Sequence, residues 1–249
     1  IEMTHTSVDS VANAISWAKN RLVTPDEYEP RWGSTVGTIV KEVYPVYQQQ
    51  LQIANAVDFD DLLMHVATLL KENPQLRKTL DDRYRYILVD EYQDTNRPQY
   101  LLTRLLAEEH RNICVVGDDD QSIYAWRGAD VRHILRFKDD WPDAKVIALE
   151  RNYRSTEQIL LLANRLIRFN QVRHEKTLQP ARMGGEKPCV VPYDNEELEA
   201  EQVVADICRQ LNKEDCSPRD IAILFRTKEQ PRAFETELRR RNVPYVLIG

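Results

Sequence analysis

The amino-acid sequence predicts an α/β fold, with parallel sheets flanked by helices and an additional helical subdomain on the N-terminal side. Two observations predict this fold. Amphipathic helical patterns follow one another up to about residue 80, and from Tyr86 onward short β-branched runs alternate with helical segments. Such alternation is typical of helices that connect parallel strands. The length of 249 residues allows one large domain or two smaller ones.

Apolar residues recur at helical spacing in the N-terminal region. They predict helices over Val8–Leu22, from about Thr35 to Ala56 with a bend at Pro45, over Phe59–Lys71, and from Pro74 onward.

The elements predicted beyond this region alternate in type. The strands are the apolar runs Tyr86–Val89, Ile113–Val116, Val146–Leu149, Cys189–Val191, Ile221–Phe225 and Tyr245–Ile248. The helices are Arg97–Glu109, Asp130–Phe137, Thr156–Phe169, Glu196–Leu211 and Glu229–Arg241. Ser155 and Gln158 have the spacing of a capping box. The stretch 179–188, rich in Gly and Pro, is predicted to link two α/β units.

Composition excludes several classes of protein. Hydrophobic residues make up 42%, which excludes collagen-like and broadly disordered chains, and no apolar run has the length of a membrane-spanning helix. The formal charge of -6 means that any DNA contact must come from local basic and aromatic groups. The four cysteines lack zinc-like or disulfide-framework spacing. We therefore expect reduced thiols in a cytoplasmic protein, with Cys114 buried in its apolar run.

The first predicted strand ends in two acids. The run Ile87–Val89 leads directly into Asp90 and Glu91. Ligands of open α/β sheets bind beyond the carboxyl ends of strands. An apolar strand that ends in an acidic pair is the Walker B arrangement, in which one carboxylate holds the magnesium of a nucleoside triphosphate and the other polarises the attacking water. The alternative is a pair of carboxylates that cap a helix or are simply solvated.

The next strand is followed by three carboxylates and an amide, Asp118, Asp119, Asp120 and Gln121. One interpretation is a solvated turn. The other is a second acidic edge beside the first, where Gln121 hydrogen-bonds a γ-phosphate or a water, because an amide both donates and accepts.

An aromatic pair follows this acidic stretch. Tyr124 and Trp126 are two residues apart, and Arg127 comes next. In an extended segment these two rings share a face, on which bases could stack at roughly 1–3 kcal/mol each. The alternative is packing in the core, which the polar neighbours disfavour.

The third predicted strand leads into Glu150-Arg151-Asn152-Tyr153-Arg154-Ser155. Arg154 could act as an arginine finger on a phosphate, and Tyr153 could stack on a base. The alternative is that an arginine pairs with Glu150 or caps the following helix.

Read together, these segments resemble a known family. VDEYQDTN at 89–96, GDDDQSIYAWRGA at 117–129 and NYRST at 152–156 are similar to motifs II, III and IV of superfamily 1 helicases. The tryptophan in AWRGA is similar to that of the UvrD/Rep/PcrA branch of this superfamily. FDDLL at 59–63 resembles the segment before motif II in this branch, and 221–249 resembles the start of its second motor domain. The resemblance implies RecA-like, P-loop NTPase-type motor domains. Residues 1–57 would form a helical 1B subdomain, 58–150 the later part of motor domain 1A, and 151–249 motif IV with the first part of domain 2A.

The resemblance also implies roles at the nucleotide. Asp90 would bind Mg²⁺, with Glu91 beside the metal activating the hydrolytic water. Gln93 would lie beside the nucleotide, and Gln121 would sense the γ-phosphate of ATP and couple it to the DNA site. Arg127 would support the network around the phosphates or the DNA.

The remaining implied roles concern adenine, phosphate and DNA. Tyr153 would lie against the adenine, and Arg154 would contact the γ-phosphate. Tyr124 and Trp126 would contact single-stranded DNA, and Arg226 would contact its backbone from the second motor domain.

The implied function is that of an ATP-dependent DNA helicase that moves 3′ to 5′ on single-stranded DNA and unwinds single-strand/double-strand junctions, in repair or replication. None of the seven glycines is followed by Lys, so the sequence contains no G-x-x-x-x-G-K-[ST] phosphate loop. We therefore expect an internal piece of a larger helicase that hydrolyses ATP negligibly by itself. Two alternatives stay open: a stand-alone DNA-binding module, and the motor part of a RecB/AddA-type nuclease-helicase.

Overall fold

The structure, a computed structural model, describes residues 6–213 and 215–248. The chain folds as two compact units, Ile1–Gly184 and Gly185–Gly249. The division lies within the stretch 179–188, the predicted linker. The finer division at residues 57 and 150 stays a prediction.

The first unit begins with helices, as the apolar periodicity predicts. They are α1 (Val8–Lys19), α2 (Thr35–Ile53), α3 (Phe59–Glu72) and α4 (Pro74–Arg83). Helix α2 continues through Pro45. Side chains of α1 and α2 form one apolar core, made of Val11, Ile15, Ala18, Val40 and Tyr44.

A buried ion cluster connects α1 to α3. The Nζ atom of Lys19, at the end of α1, lies 2.7 Å from a carboxylate oxygen of Asp58 and 2.7 Å from one of Asp61. Asp58 and Asp61 also form the capping box that starts α3. Because the Lys19 side chain is completely buried, this cluster fixes the two helices against each other.

Two pairs of parallel strands follow, which confirms the α/β class. β1 (Ile87–Val89) pairs with β2 (Ile113–Val115), and β3 (Arg151–Thr156) pairs with β4 (Gln179–Arg182). The helices among them are α5 (Arg97–Leu106), α6 (Arg132–Leu135), α7 (Phe137–Asp140) and α8 (Glu157–Ile167).

The second unit contains α9 (Glu196–Leu211) and α10 (Pro231–Arg240). The two helices pack on each other around Ala200, Val204, Phe234 and Leu238. None of the helices in 6–213 and 215–248 has the length and apolar character needed to cross a bilayer.

Several predicted strands are wrong. The runs at 146–149, 189–191, 221–225 and 245–248 carry no strand pairing in the structure. A strand requires a partner for its backbone groups, and these runs have none among the described residues. Leu149, Val190, Leu224 and Ile248 are 79–95% exposed, while Ile223, Phe225 and Tyr245 pack against the core of the second unit without strand pairing. The third strand lies a few residues later, at β3, where β4 supplies the partner.

Two smaller expectations also fail. Thr156, not Ser155, precedes α8, and it makes no capping hydrogen bond with its side chain. Cys114 is exposed, because it lies on the side of the β1–β2 pair where its partner Leu88 is 77% exposed as well.

Candidate functional site

The carboxyl ends of β1 and β2 lie side by side. Backbone hydrogen bonds join Val116 N to Val89 O at 2.8 Å and Tyr92 N to Val116 O at 3.0 Å. The acids that follow β1 and the turn that follows β2 therefore share one edge. This edge holds Asp90 and Glu91, both of which are exposed.

Glu91 has an unusual backbone conformation. Its φ is 49°, in the left-handed region, which costs a residue with a side chain of order 1–3 kcal/mol. Its backbone N–H donates to the carboxylate of Asp90 at 2.9 Å. This conformation turns the chain sharply after β1 and leaves both side chains exposed at the edge.

Gln93 is buried behind these acids, with only 1% of its surface exposed. Its Nε2 donates to Glu91 Oε2 at 2.8 Å and to Asp94 Oδ2 at 3.3 Å, while its Oε1 accepts the backbone N–H of Asp118 at 3.0 Å. The amide therefore fixes the Glu91 carboxylate and ties it to the turn after β2. Its contact with a nucleotide stays a prediction.

Gly117 makes this close approach possible. A Cβ atom at Gly117 would lie 2.5 Å from Gln93 Oε1, 2.8 Å from Ile134 Cδ1 and 3.1 Å from the backbone N of Tyr92. The first two separations are too short for non-bonded atoms, so a side chain at this position would have to displace Gln93 and Ile134.

A cleft of about 410 Å³ opens beside the two acids. It is lined by Val89, Asp90, Glu91, Asp94, Thr95, Gln99, Leu102 and Thr103. The Oδ1 atom of Asp94 is buried without a hydrogen-bond partner. Mg²⁺ takes one or two carboxylates from a protein and completes its shell with water and phosphate oxygens, so this donor set fits a magnesium–nucleotide complex. Within 6–213 and 215–248, no cluster of three or more His, Cys, Asp or Glu side chains could hold a metal by itself.

The three carboxylates after β2, here called the acidic turn (Asp118, Asp119, Asp120), are not a solvated turn. Their side chains are 25%, 4% and 10% exposed. Lys176 places its Nζ 2.9, 2.8 and 3.0 Å from them in that order, and Arg173 forms a bond of 2.6 Å to Asp120. Neither cation is among the site residues predicted from the sequence.

Burial and ion pairing act in opposite directions on the acidic turn. Burial alone would raise the pKa of Asp118, but hydrogen bonds from Gln121 and Lys176 outweigh it and hold the pKa below its ordinary value. The same opposition keeps the pKa of Asp119 low through hydrogen bonds from Lys176 and the backbone N–H of His174, and the pKa of Asp120 low through Arg173 and Lys176. Burial would lower the pKa of Lys176, yet the three carboxylates raise it. The cluster is therefore charged at neutral pH.

Gln121 belongs to the same network. Its Nε2 donates to Asp118 Oδ2 at 2.7 Å, and the backbone N–H of Asp118 reaches Gln93. Hydrogen bonds thus join three predicted nucleotide-site residues, Glu91, Gln93 and Gln121, through Asp118.

The aromatic pair lies at the surface. Tyr124 is 39% exposed and Trp126 is 66% exposed, and their ring centroids are 6.4 Å apart. The guanidinium of Arg127 lies 4.6 Å from the Trp126 ring centroid and 5.5 Å from that of Tyr124. The segment Ala125–Arg127 is a 3-10 turn, so the predicted extended conformation is wrong. The turn still brings two rings and a cation together at the surface.

Glycine ends this turn as well. Gly128 has φ of 86°, and a Cβ there would lie 3.0 Å from Cβ of Asn20. Asn20 in turn accepts a hydrogen bond from Asn96 at the start of α5 and donates one of 2.8 Å to Asp60. The turn Ala125–Arg127 and the glycine after it are therefore held against Asn20, which follows helix α1.

Tyr153 and Arg154 both lie exposed on β3. The backbone carbonyl of Arg154 accepts a bond of 3.1 Å from Arg182 in β4, and Arg151 lies 5.3 Å from the Tyr153 ring centroid. Both predicted side chains are therefore free to meet a ligand. Arg226 lies exposed in the second unit, where its backbone N–H donates to Gln230 at 2.8 Å.

Comparison with known proteins agrees with these features. Residues 1–142 match the family model of the UvrD/REP helicase N-terminal domain, and residues 147–249 match that of the UvrD-like helicase C-terminal domain. Over 236 residues, 95% of the chain, it is 44% identical to an ATP-dependent DNA helicase PcrA of Staphylococcus epidermidis and 43% identical to one of Staphylococcus aureus. The chain spans 32% of the length of each relative. The chain therefore belongs to the UvrD/REP helicase family.

Proposed function

We propose that this chain forms the central part of a motor that couples ATP hydrolysis to 3′-to-5′ movement on single-stranded DNA and to unwinding at single-strand/double-strand junctions, in repair or replication. One observation carries the proposal. The network that fixes Glu91 reaches Gln121 through Gln93 and Asp118, and the exposed pair Tyr124 and Trp126 follows directly in the chain. The proposed nucleotide edge and the proposed base-stacking surface would therefore adjoin in one segment. The proposed DNA substrate implies a cytoplasmic, nucleoid-associated protein.

The two acids after β1, Asp90 and Glu91, would have different roles in the proposed reaction. Asp90 would hold Mg²⁺ beside the phosphates of ATP, and Glu91 would contribute to the same site. Bound Mg²⁺ would neutralise charge on the phosphates. Glu91, oriented by Gln93, would take a proton from the attacking water. Gln121 would respond to the γ-phosphate.

The basic and aromatic residues would complete the site. Arg154 would stabilise negative charge on the transferred phosphoryl group, and Tyr153 would lie against the adenine. Tyr124 and Trp126 would stack on bases, which suits DNA without sequence preference. Arg127, whose guanidinium lies within 5.5 Å of both ring centroids, would support the phosphates or the DNA, and Arg226 would contact the DNA backbone.

The isolated chain should hydrolyse ATP negligibly. Its sequence has no glycine followed by lysine, and a phosphate loop supplies the amides and lysine that bind the β- and γ-phosphates. Steady-state hydrolysis of Mg-ATP by the purified chain at the rate of the full-length protein would overturn this statement.

A fluorescence titration tests the DNA part of the proposal. The chain is titrated with oligo-dT at low salt, with and without Mg-ATP, beside the variant Trp126→Ala. Because four tryptophans contribute to the signal, the variant identifies the quenching that belongs to Trp126. We expect quenching that the variant loses. Equal quenching in both proteins would contradict the proposed stacking surface.

A further inference from the structure

A basic segment of the first unit, Arg173, His174 and Lys176, contacts the acidic turn across 53–58 residues of sequence. The backbone N–H of His174 also donates to Asp119 at 2.9 Å. The Arg173 and Lys176 side chains are only 14% and 16% exposed. These two cations and three carboxylates are largely shielded from solvent, so their interaction is stronger than that of an exposed surface ion pair, and loss of one partner is more costly.

One side of this contact leads to the proposed catalytic acid. Lys176 binds Asp118, whose backbone N–H donates to Gln93, and Gln93 donates to Glu91. Each of these bonds is between 2.8 and 3.0 Å long. Gln121 joins at Asp118 as well. A displacement of the Lys176 ammonium would therefore alter the partners of Gln121 and of Gln93.

The other side leads to the strand that carries Tyr153 and Arg154. Immediately after Lys176, the backbone N–H groups of Thr177 and Gln179 donate to Glu150 at 3.0 and 2.7 Å. The chain then enters β4, which pairs with β3. The position of Lys176 is thus tied to the strand that carries the proposed adenine and γ-phosphate contacts.

We propose that Arg173 and Lys176 are positioning residues that hold the acidic turn to the β3–β4 pair and thereby couple DNA at the aromatic surface to ATP hydrolysis. This inference rests on the proposed function. Neither residue needs to touch ATP or DNA. Their removal should lower the stimulation of ATP hydrolysis by single-stranded DNA, because Gln121 and β3 would no longer move together.

The test measures ATP hydrolysis by the full-length protein with and without saturating oligo-dT, for wild type and Lys176→Met. We expect the ratio of the two rates to fall by about fivefold or more, the lower range of coupling between two sites, with KM for ATP changed by less than about twofold. Lys176→Arg, which keeps the charge, should recover most of the ratio. Lys145→Met is the matched control, since Lys145 is exposed and makes no ion pair within 6–213 and 215–248. It should keep the wild-type ratio.

A double-mutant cycle separates coupling from loss of structure. If Lys176 acts through Asp118, then Asp118→Asn combined with Lys176→Met should lower the ratio no further than the stronger single variant. A ratio that stays at the wild-type value in Lys176→Met, or rates that fall equally with and without DNA, would overturn the inference alone. A wild-type protein without DNA-stimulated hydrolysis would instead overturn the proposed function, and the inference with it.

Discussion

The buried ammonium of Lys19 gives the sharpest prediction about stability. Its Nζ lies 2.7 Å from both Asp58 and Asp61, and none of its side chain is exposed. Replacement by Met leaves the buried carboxylate of Asp61 and the carboxylate of Asp58, which is 26% exposed, without their cation. Removal of one partner from a buried ion pair costs about 3–5 kcal/mol. We therefore expect Lys19→Met to lower the free energy of unfolding by that amount.

Lys41 supplies the matched control. Its Nζ lies 2.9 Å from Glu29, but the two side chains are 50% and 75% exposed. Exposed pairs contribute at most about 1 kcal/mol, so Lys41→Met should change stability little. Urea unfolding followed by circular dichroism measures both variants, and the midpoints are comparable if the m values stay equal.

A triple variant tests the cause of the loss. Combining Lys19→Met with Asp58→Asn and Asp61→Asn removes the unpaired charges, while Asn keeps the oxygens that cap α3. We expect it to recover most of the lost stability. The reasoning is refuted if Lys19→Met and Lys41→Met lose equal stability, or if the triple variant is as unstable as Lys19→Met.

Three further predictions follow from the described contacts. Gly117→Ala should reduce DNA-stimulated ATP hydrolysis of the full-length protein by up to about 100-fold, because the new methyl displaces Gln93; a wild-type rate would contradict it. Arg127→Ala should reduce the slope of log affinity for oligo-dT against log salt by about 0.7, as expected for one lost phosphate contact to a single strand; an unchanged slope would show that the cation serves only the rings. Burial alone would raise the pKa of Asp58, but hydrogen bonds from Lys19 and from the Asp61 N–H have the larger effect and hold this pKa below its ordinary value. The stability that this pair contributes is therefore complete above the unfolded pKa of about 4 and is lost as pH falls through the lower folded pKa. The difference in unfolding free energy between wild type and Lys19→Met should shrink over that acidic range, and a constant difference would contradict it.

The helices were predictable because their signals are local. Helix α9 has the predicted bounds, and Asn195 caps its first turn with a bond of 2.8 Å to the N–H of Leu198. Its apolar residues recur at helical spacing, and three acids follow the cap. The signals that predict this helix lie within its own residues and the cap before them, although its apolar face is buried against α10.

The strands were harder to predict because a strand depends on a partner elsewhere in the chain. Strand β3 is polar, and its partner β4 contains Pro180, which is unfavourable for an interior strand. Neither sequence signals a strand by itself. The apolar run at 146–149 has the better local signal but no partner in the structure.

The sequence predicts the acids and aromatics of the candidate site, whose roles stay predictions, but not the residues that bind and position them. Asp90, Glu91, Tyr124 and Trp126 are exposed, as their proposed roles require. The contact of Lys176 with the acidic turn spans 56–58 residues, and no local rule pairs them. The signal in the sequence is three adjacent carboxylates and a distant basic segment of opposite charge, and charge alone does not show that the two meet.

Strand displacement by the full-length protein tests the central proposal most directly. The substrates are one duplex with a 3′ single-stranded tail and the same duplex with a 5′ tail, each with Mg-ATP, for wild type and Glu91→Gln. We expect wild type to displace the strand from the 3′-tailed duplex, and Glu91→Gln to bind that duplex without displacing it. Displacement by Glu91→Gln at the wild-type rate, or none by a wild-type protein that hydrolyses ATP, would contradict the proposal.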